Sequence, residues 1–137
     1  MRAPETRVFP TPVPPTAFVP TIPLVTMIPL DTQGPPAPTI ISPTNNQMVT
    51  CASLSNLMLR WQSVSDPSGI ANYRVQLQQR SGSSWVDVRT LDAGNTMQIA
   101  PGSLQCGNSY RWNVTARDGV GNWGKISDWA LFRIGID

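Results

Sequence analysis

Histidine is absent from the 137 residues, and glutamate and lysine occur once each, as Glu5 and Lys125. Those gaps remove most of the side chains that carry general acid–base, metal-ligand and activated-nucleophile chemistry, so the chain reads as not an enzyme and no cofactor is expected. Charged residues make up only 13% and the formal net charge is +2. No broad basic field is therefore expected to draw nucleic acid or an anionic membrane, and no acidic tail suggests a basic partner. Long apolar runs are missing too. The most apolar N-terminal stretch, 22–30, is broken by Pro23 and Pro29, short of the roughly 18–20 residues of a spanning helix. Membrane insertion is not expected, and the lack of an apolar run after Arg2 argues against a signal peptide in this chain. The length suits one domain rather than two.

What is abundant is proline, and it is unevenly placed. Eleven of fourteen prolines fall between Pro4 and Pro38. Fixed φ and missing amide donors favour an extended polyproline II chain with no packed core. Residues 1–37 are read as a disordered Pro/Thr-rich linker and residues 38–137 as the domain. O-glycosylation of the linker, or its docking in an SH3-like groove, are the alternatives to a plain spacer.

After Pro38 the sequence turns to short β-branched and aromatic runs at 39–42, 56–62, 70–80, 84–91, 96–100, 108–118 and 127–135. Turn chemistry separates them, as in Ser65-Asp-Pro-Ser-Gly69 and Asp118-Gly-Val-Gly-Asn-Trp-Gly124. No sustained helical period occurs, so the domain is predicted to be all-β, with seven strands in a sandwich. Alternation assigns the faces. Leu57, Leu59 and Trp61 share one side of their run, and Tyr73, Val75 and Leu77 share one side of the next. Tyr110, Trp112, Val114 and Ala116 alternate strictly with Arg111, Asn113, Thr115 and Arg117. With Met97, Ile99, Phe132 and Ile134, the apolar sets form the predicted core.

Leu59-Arg-Trp61, Tyr73-Arg-Val75, Leu104 six residues before Tyr110, Val114-Thr-Ala116 and Gly121 together resemble the fibronectin type III pattern. The resemblance covers residues 38–136. Asp66-Pro-Ser-Gly-Ile70 and Asp118-Gly-Val-Gly-Asn122 resemble the variant common in bacterial extracellular proteins. It implies an immunoglobulin-like sandwich with strands A, B and E on one sheet and C, C′, F and G on the other. It also implies a tyrosine corner at Leu104 and Tyr110, in which the phenol bonds a backbone group just upstream. Cys106 stands where the family often has proline.

In that topology Cys51 precedes strand B and Cys106 precedes strand F, so both lie at one end of the sandwich and a disulfide is expected. It would close a loop of roughly 55 residues, contributing about 4 kcal/mol by the chain-entropy relation. Two unpaired thiols in a reducing compartment are the alternative. A disulfide implies an extracellular or cell-surface location.

Asp66, Asp118 and Asn122 belong to loops at the opposite end and could converge on calcium. Their positions beside glycine are better explained by turn formation, so no metal site is expected. Trp61 and Trp112 are taken up by packing. Trp123 and Trp129 loosely resemble the tryptophan/serine motif of cytokine-receptor modules, with Arg111 and Arg117 available for a cation–π ladder. Trp85 and Trp123 are the candidates for contact with a partner or glycan. The functional expectation is a non-catalytic spacer or protein-interaction and adhesion unit within a larger polypeptide. A carbohydrate-binding accessory module using the exposed tryptophans is the alternative.

Overall fold

Strict alternation over the penultimate run makes a long central strand, and the remaining strands assemble on its two edges. In the computed structural model, which describes residues 30–136, the order is β1 (Ile40–Ser42), β2 (Gln47–Thr50), β3 (Leu59–Trp61), β4 (Ile70–Ser81), β5 (Ser84–Gly94), β6 (Gln98–Ile99), β7 (Ser109–Asp118) and β8 (Ala130–Gly135). A 3-10 helix at Cys51–Asn56 joins β2 to β3. Of the linker expected over 1–37, residues 1–29 lie outside the described residues.

The strands form a three-stranded sheet, β1-β3-β6, and a five-stranded sheet, β2-β8-β7-β4-β5. The fold is an all-β sandwich, and each of the seven expected runs contributes a strand. The expected sheet partition also appears: A, B and E correspond to β1, β3 and β6, and C, C′, F and G to β4, β5, β7 and β8. The eighth strand, β2, pairs parallel to β8, with Val49 opposite Ile134. Sequence reading missed it because Val49 alone of its four residues is buried, too little for a period-two signal.

The inward faces of the two sheets meet in an aromatic core. Leu59, Trp61, Tyr73, Val75, Leu77, Tyr110, Trp112, Val114, Ala116, Phe132 and Ile134 are all buried. Trp61 packs against Tyr73 and Trp112 at ring separations of 5.6 and 6.0 Å, and Tyr110 stacks on Phe132 at 5.6 Å. The polar tips of the large rings are mostly satisfied, as burial requires. The Trp112 indole N–H donates to the Pro43 carbonyl at 3.0 Å, and the Tyr73 hydroxyl accepts the Val64 N–H at 3.1 Å. The Trp61 indole N–H has no partner among the described residues.

One core expectation is corrected: Met97 is 42% exposed. Leu57 and Ile99 are partly buried and pack against the core from its edge. Strand β6 begins at Gln98, so alternation does not extend back to Met97, whose carbonyl instead accepts the Trp61 N–H. Leu57 caps the 3-10 helix, its N–H bonding the Leu54 carbonyl, and lies before β3 begins.

The segment 31–38 runs along the sandwich and shares its compact unit. Pro35 and Pro38 are buried, and the Pro35 carbonyl accepts the Lys125 N–H at 3.1 Å. The approach of the two backbones requires glycine on both sides. A Cβ on Gly34 would run into the Trp123 carbonyl, and one on Gly124 into the Pro35 carbonyl.

Candidate functional site

Three groups of side chains were singled out from the sequence, and the sandwich distributes them over its two poles and one sheet face. At one pole, Cys51 begins the 3-10 helix and Cys106 lies in the turn before β7. They are disulfide-bonded, with Cα atoms 5.6 Å apart and a sequence separation of 55. Beside them the buried Tyr110 hydroxyl accepts the Gln105 N–H at 2.8 Å, while Leu104 packs at the edge of the core. Strand β8 ends here, with Ile136 over Gly107.

At the other pole, the turns after β3 and β7 bring Asp66 and Asp118 together with Asp31, their carboxylate oxygens within 4.8 Å of one another. Sequence reading placed Asp66, Asp118 and Asn122 together but missed Asp31, which comes from far upstream and has no local signal. Asp118 is fully buried at the end of β7 and accepts the N–H groups of Val120 and Asn122 at 3.0 and 2.8 Å and the Asn122 side-chain amide at 3.0 Å. Burial alone would raise its pKa, but these donors outweigh it and hold the carboxyl below its ordinary value. Asp66 goes the other way. Lost hydration lifts its pKa, the Ser68 N–H offsets this only in part, and the neighbouring Asp31 and Asp118 charges add to the rise.

Carboxylate oxygens at this spacing are the donor type that hard cations take. Here each carboxylate is already engaged in shaping the pole. Asp31 accepts the Ser68 hydroxyl and the Gln33 N–H, its carbonyl accepts the Asn122 amide at 2.9 Å, and Asp66 accepts the Ser68 N–H at 3.0 Å. The cluster fastens segment 31–38 to the two loops.

The outward face of the five-stranded sheet carries the remaining candidates. Antiparallel pairing of β4 with β7 sets Arg74 beside Thr115 and Gln78 beside Arg111. Arg111 lies 4.7 Å from the centre of the Trp85 ring and 4.1 Å from that of Trp129, and its Nε–H donates to the Gln78 side-chain oxygen Oε1 at 2.7 Å. Arg80 reaches Trp85 at 5.8 Å. Farther along the strands, Arg74 and Arg117 reach Trp123 at 4.0 and 5.6 Å. Trp85 and Trp123 thus fall in two separate stacks, each ring attended by two guanidiniums. Asn113 and Thr115 are buried beneath this layer although they point away from the core.

A model of the Rha78A-like, N-terminal immunoglobulin domain matches residues 46–137. The chain belongs to that family. No curated protein matches it in sequence. Among solved structures, the immunoglobulin domain is similar to the twitchin kinase region of C. elegans (Fn31-NL-kin-CRD-Ig26). The identity is 18% over 75% of this chain and 17% of that one, with a TM-score of 0.48. A structure described as "Myokine structure" is similar at 17% identity over 77% of this chain and 99% of that one, with a TM-score of 0.49. The domain therefore spans under a fifth of the twitchin region. Its fold assignment rests on the strand order and the family match.

Within the immunoglobulin domain no helix among the described residues is long and apolar enough to cross a membrane. The sugar-stacking reading of Trp85 and Trp123 needs an open ring face. Trp123 is 39% exposed and Trp85 less so, and the guanidiniums beside each ring compete for that surface.

Proposed function

We propose that this immunoglobulin domain is a non-catalytic extracellular module, a spacer or protein-interaction and adhesion unit of a secreted or cell-surface protein. The observation that carries this reading is where the chain meets the two poles. Segment 31–38 is fastened at the pole where β7 ends, through Asp31, Ser68 and Asn122, and β8 leaves at the pole where β7 begins. A ten-residue strand rising roughly 3.3 Å per residue holds the two points about 30 Å apart. Such an arrangement passes a polypeptide through a rigid unit end to end.

The disulfide supports export, because such bonds persist in oxidising compartments. The kinship proposed with bacterial fibronectin type III modules is supported by the Tyr110 hydroxyl bond to the backbone of Gln105. Residues 1–37 would act as a Pro/Thr-rich stalk before it, with segment 31–37 as its fastened end. The family description, an N-terminal domain, supports membership of a larger polypeptide. Fold alone does not assign a partner.

The test is a pair of fluorophores attached at position 32 and after position 136. A spacer gives one narrow transfer distance of about 30 Å that persists up to the unfolding transition. A broad or much shorter distance in the native protein would refute the spacer reading. Stacking of neutral glycans gains no support from the arginine-flanked rings. Neutral-glycan binding abolished by Trp85→Ala or Trp123→Ala would reinstate it.

A further inference from the structure

A net charge of +2 conceals where the charges sit. The outward face of the five-stranded sheet carries Arg74 and Arg80 on β4, Arg111 and Arg117 on β7, and Arg133 on β8. Beside these five arginines lie Asp87 and Asp92 of β5, both already taking side-chain amides. Asp87 accepts from Gln76 and Gln78 at 3.0 and 2.8 Å, and Asp92 from Asn72 at 3.3 Å. Of the other carboxylates among the described residues, Asp31, Asp66 and Asp118 are gathered at one pole. Asp128 precedes Trp129 in the segment before β8, and even counting it the arginines of the face outnumber its aspartates. The sheet face is therefore left with an excess of positive charge.

Strand register divides the arginines into two clusters. Gln79 opposes Tyr110 and Ser109 opposes Arg133, so Arg80, Arg111 and Arg133 share one end of the face. Arg74 opposes Thr115 and Asn72 opposes Arg117, which sets Arg74 and Arg117 at the other. The six-residue steps from Arg74 to Arg80 and from Arg111 to Arg117 separate the clusters by about 20 Å. Indole rings hold four of the five guanidiniums in place. A guanidinium resting on a ring keeps its N–H edge available for a two-pronged bond to a carboxylate.

We propose that this face binds an extended acidic polysaccharide, a polyuronate, whose sugar carboxylates engage both arginine clusters. Charge complementarity and the 20 Å interval favour a chain long enough to reach both clusters, gaining from bivalent attachment. A folded protein partner would need an apolar centre to bury, whereas each indole here, the part-exposed Trp123 included, has guanidiniums against it. Duplex nucleic acid would need an element narrow enough to enter a groove, whereas these arginines are spread across β4, β7 and β8 of a five-stranded sheet. The inference is independent of the spacer reading, which rests on the two poles and not on this face.

The experiment titrates the full chain with galacturonate oligomers of two and of twelve sugars, and with dextran, heparin, polyglutamate and duplex DNA as comparators. The longer oligomer is expected to bind at least 10-fold tighter than the disaccharide and to lose about 5-fold between 50 and 200 mM salt. Arg133→Glu, which touches none of the ring stacks, is expected to weaken it at least 5-fold with the thermal midpoint unchanged. Arg74→Gln combined with Arg117→Gln is expected to bring the longer oligomer down to disaccharide affinity. Should that double variant fail to fold, Arg133→Glu still decides. No binding of the longer oligomer would overturn the proposal. Equal affinity for heparin, polyglutamate or DNA, or an unchanged affinity in Arg133→Glu, would do the same.

Discussion

Replacing Arg111 by lysine keeps the charge and much of the alkyl stem but removes the flat guanidinium that reaches Trp85 and Trp129 and the Nε–H that bonds Gln78 at 2.7 Å. A lysine ammonium is a point charge that can sit on one ring, not between two. Loss of one cation–π contact costs about 0.5–1 kcal/mol, and loss of a hydrogen bond from a charged donor about 1.5 kcal/mol. The sum is about 2 kcal/mol of unfolding free energy. With a urea m-value of about 2 kcal/mol/M for a domain of this size, the midpoint should fall by about 1 M with m unchanged. The assay is urea unfolding followed by tryptophan fluorescence, with Arg133→Lys as a control expected within about 0.5 kcal/mol of the parent. An Arg111→Lys variant as stable as that control would show that the stack is incidental surface and not a second packed layer.

Trp112→Phe should cost about 1 kcal/mol more than Trp61→Phe in the same assay. The first leaves the Pro43 carbonyl without its indole donor, whereas the Trp61 N–H has no partner to lose among the described residues. Replacing Cys51 and Cys106 together by serine should lower stability by about 4 kcal/mol from the 55-residue loop alone, and reductant should shift the parent's thermal midpoint but not the variant's. At the acidic pole the two carboxyls have opposite signs. Asp118, with its lowered pKa, contributes stability present above its unfolded value near pH 4 and lost as pH falls through the folded value. Asp66, raised, contributes stability present below about pH 4 and lost as pH rises through its folded value. Asp118→Asn should therefore lower the thermal midpoint more at pH 7 than at pH 3. Asp66→Asn should raise it at pH 7 with little change at pH 3.

Strand β7 was legible because four inward apolar residues alternate with four outward polar ones, a pattern only a half-buried strand produces. The core around Trp61, Tyr73 and Trp112 followed from the same rule. Met97 did not, since alternation carries no mark of where a strand begins. Strand β2 was invisible because parallel pairing to β8 depends on a partner more than eighty residues away, while its own text is largely exposed. Asp31 escaped for the same reason, as its contacts with Ser68 and Asn122 are set by tertiary packing. The pairing of Arg111 with Trp129 was readable from the motif, but Arg74 beneath Trp123 required the register of β4 against β7. Segregation of charge is likewise a property of the folded faces that a composition cannot contain.

Amide hydrogen exchange along β4 and β7 tests the two-sheet account most directly. Exchange should be slowest at Val75, Leu77, Trp112 and Val114, at the rate set by global unfolding, with the Trp112 indole N–H equally protected. Fast exchange across β7, or an indole N–H of Trp112 that exchanges like a free one, would contradict the sandwich itself.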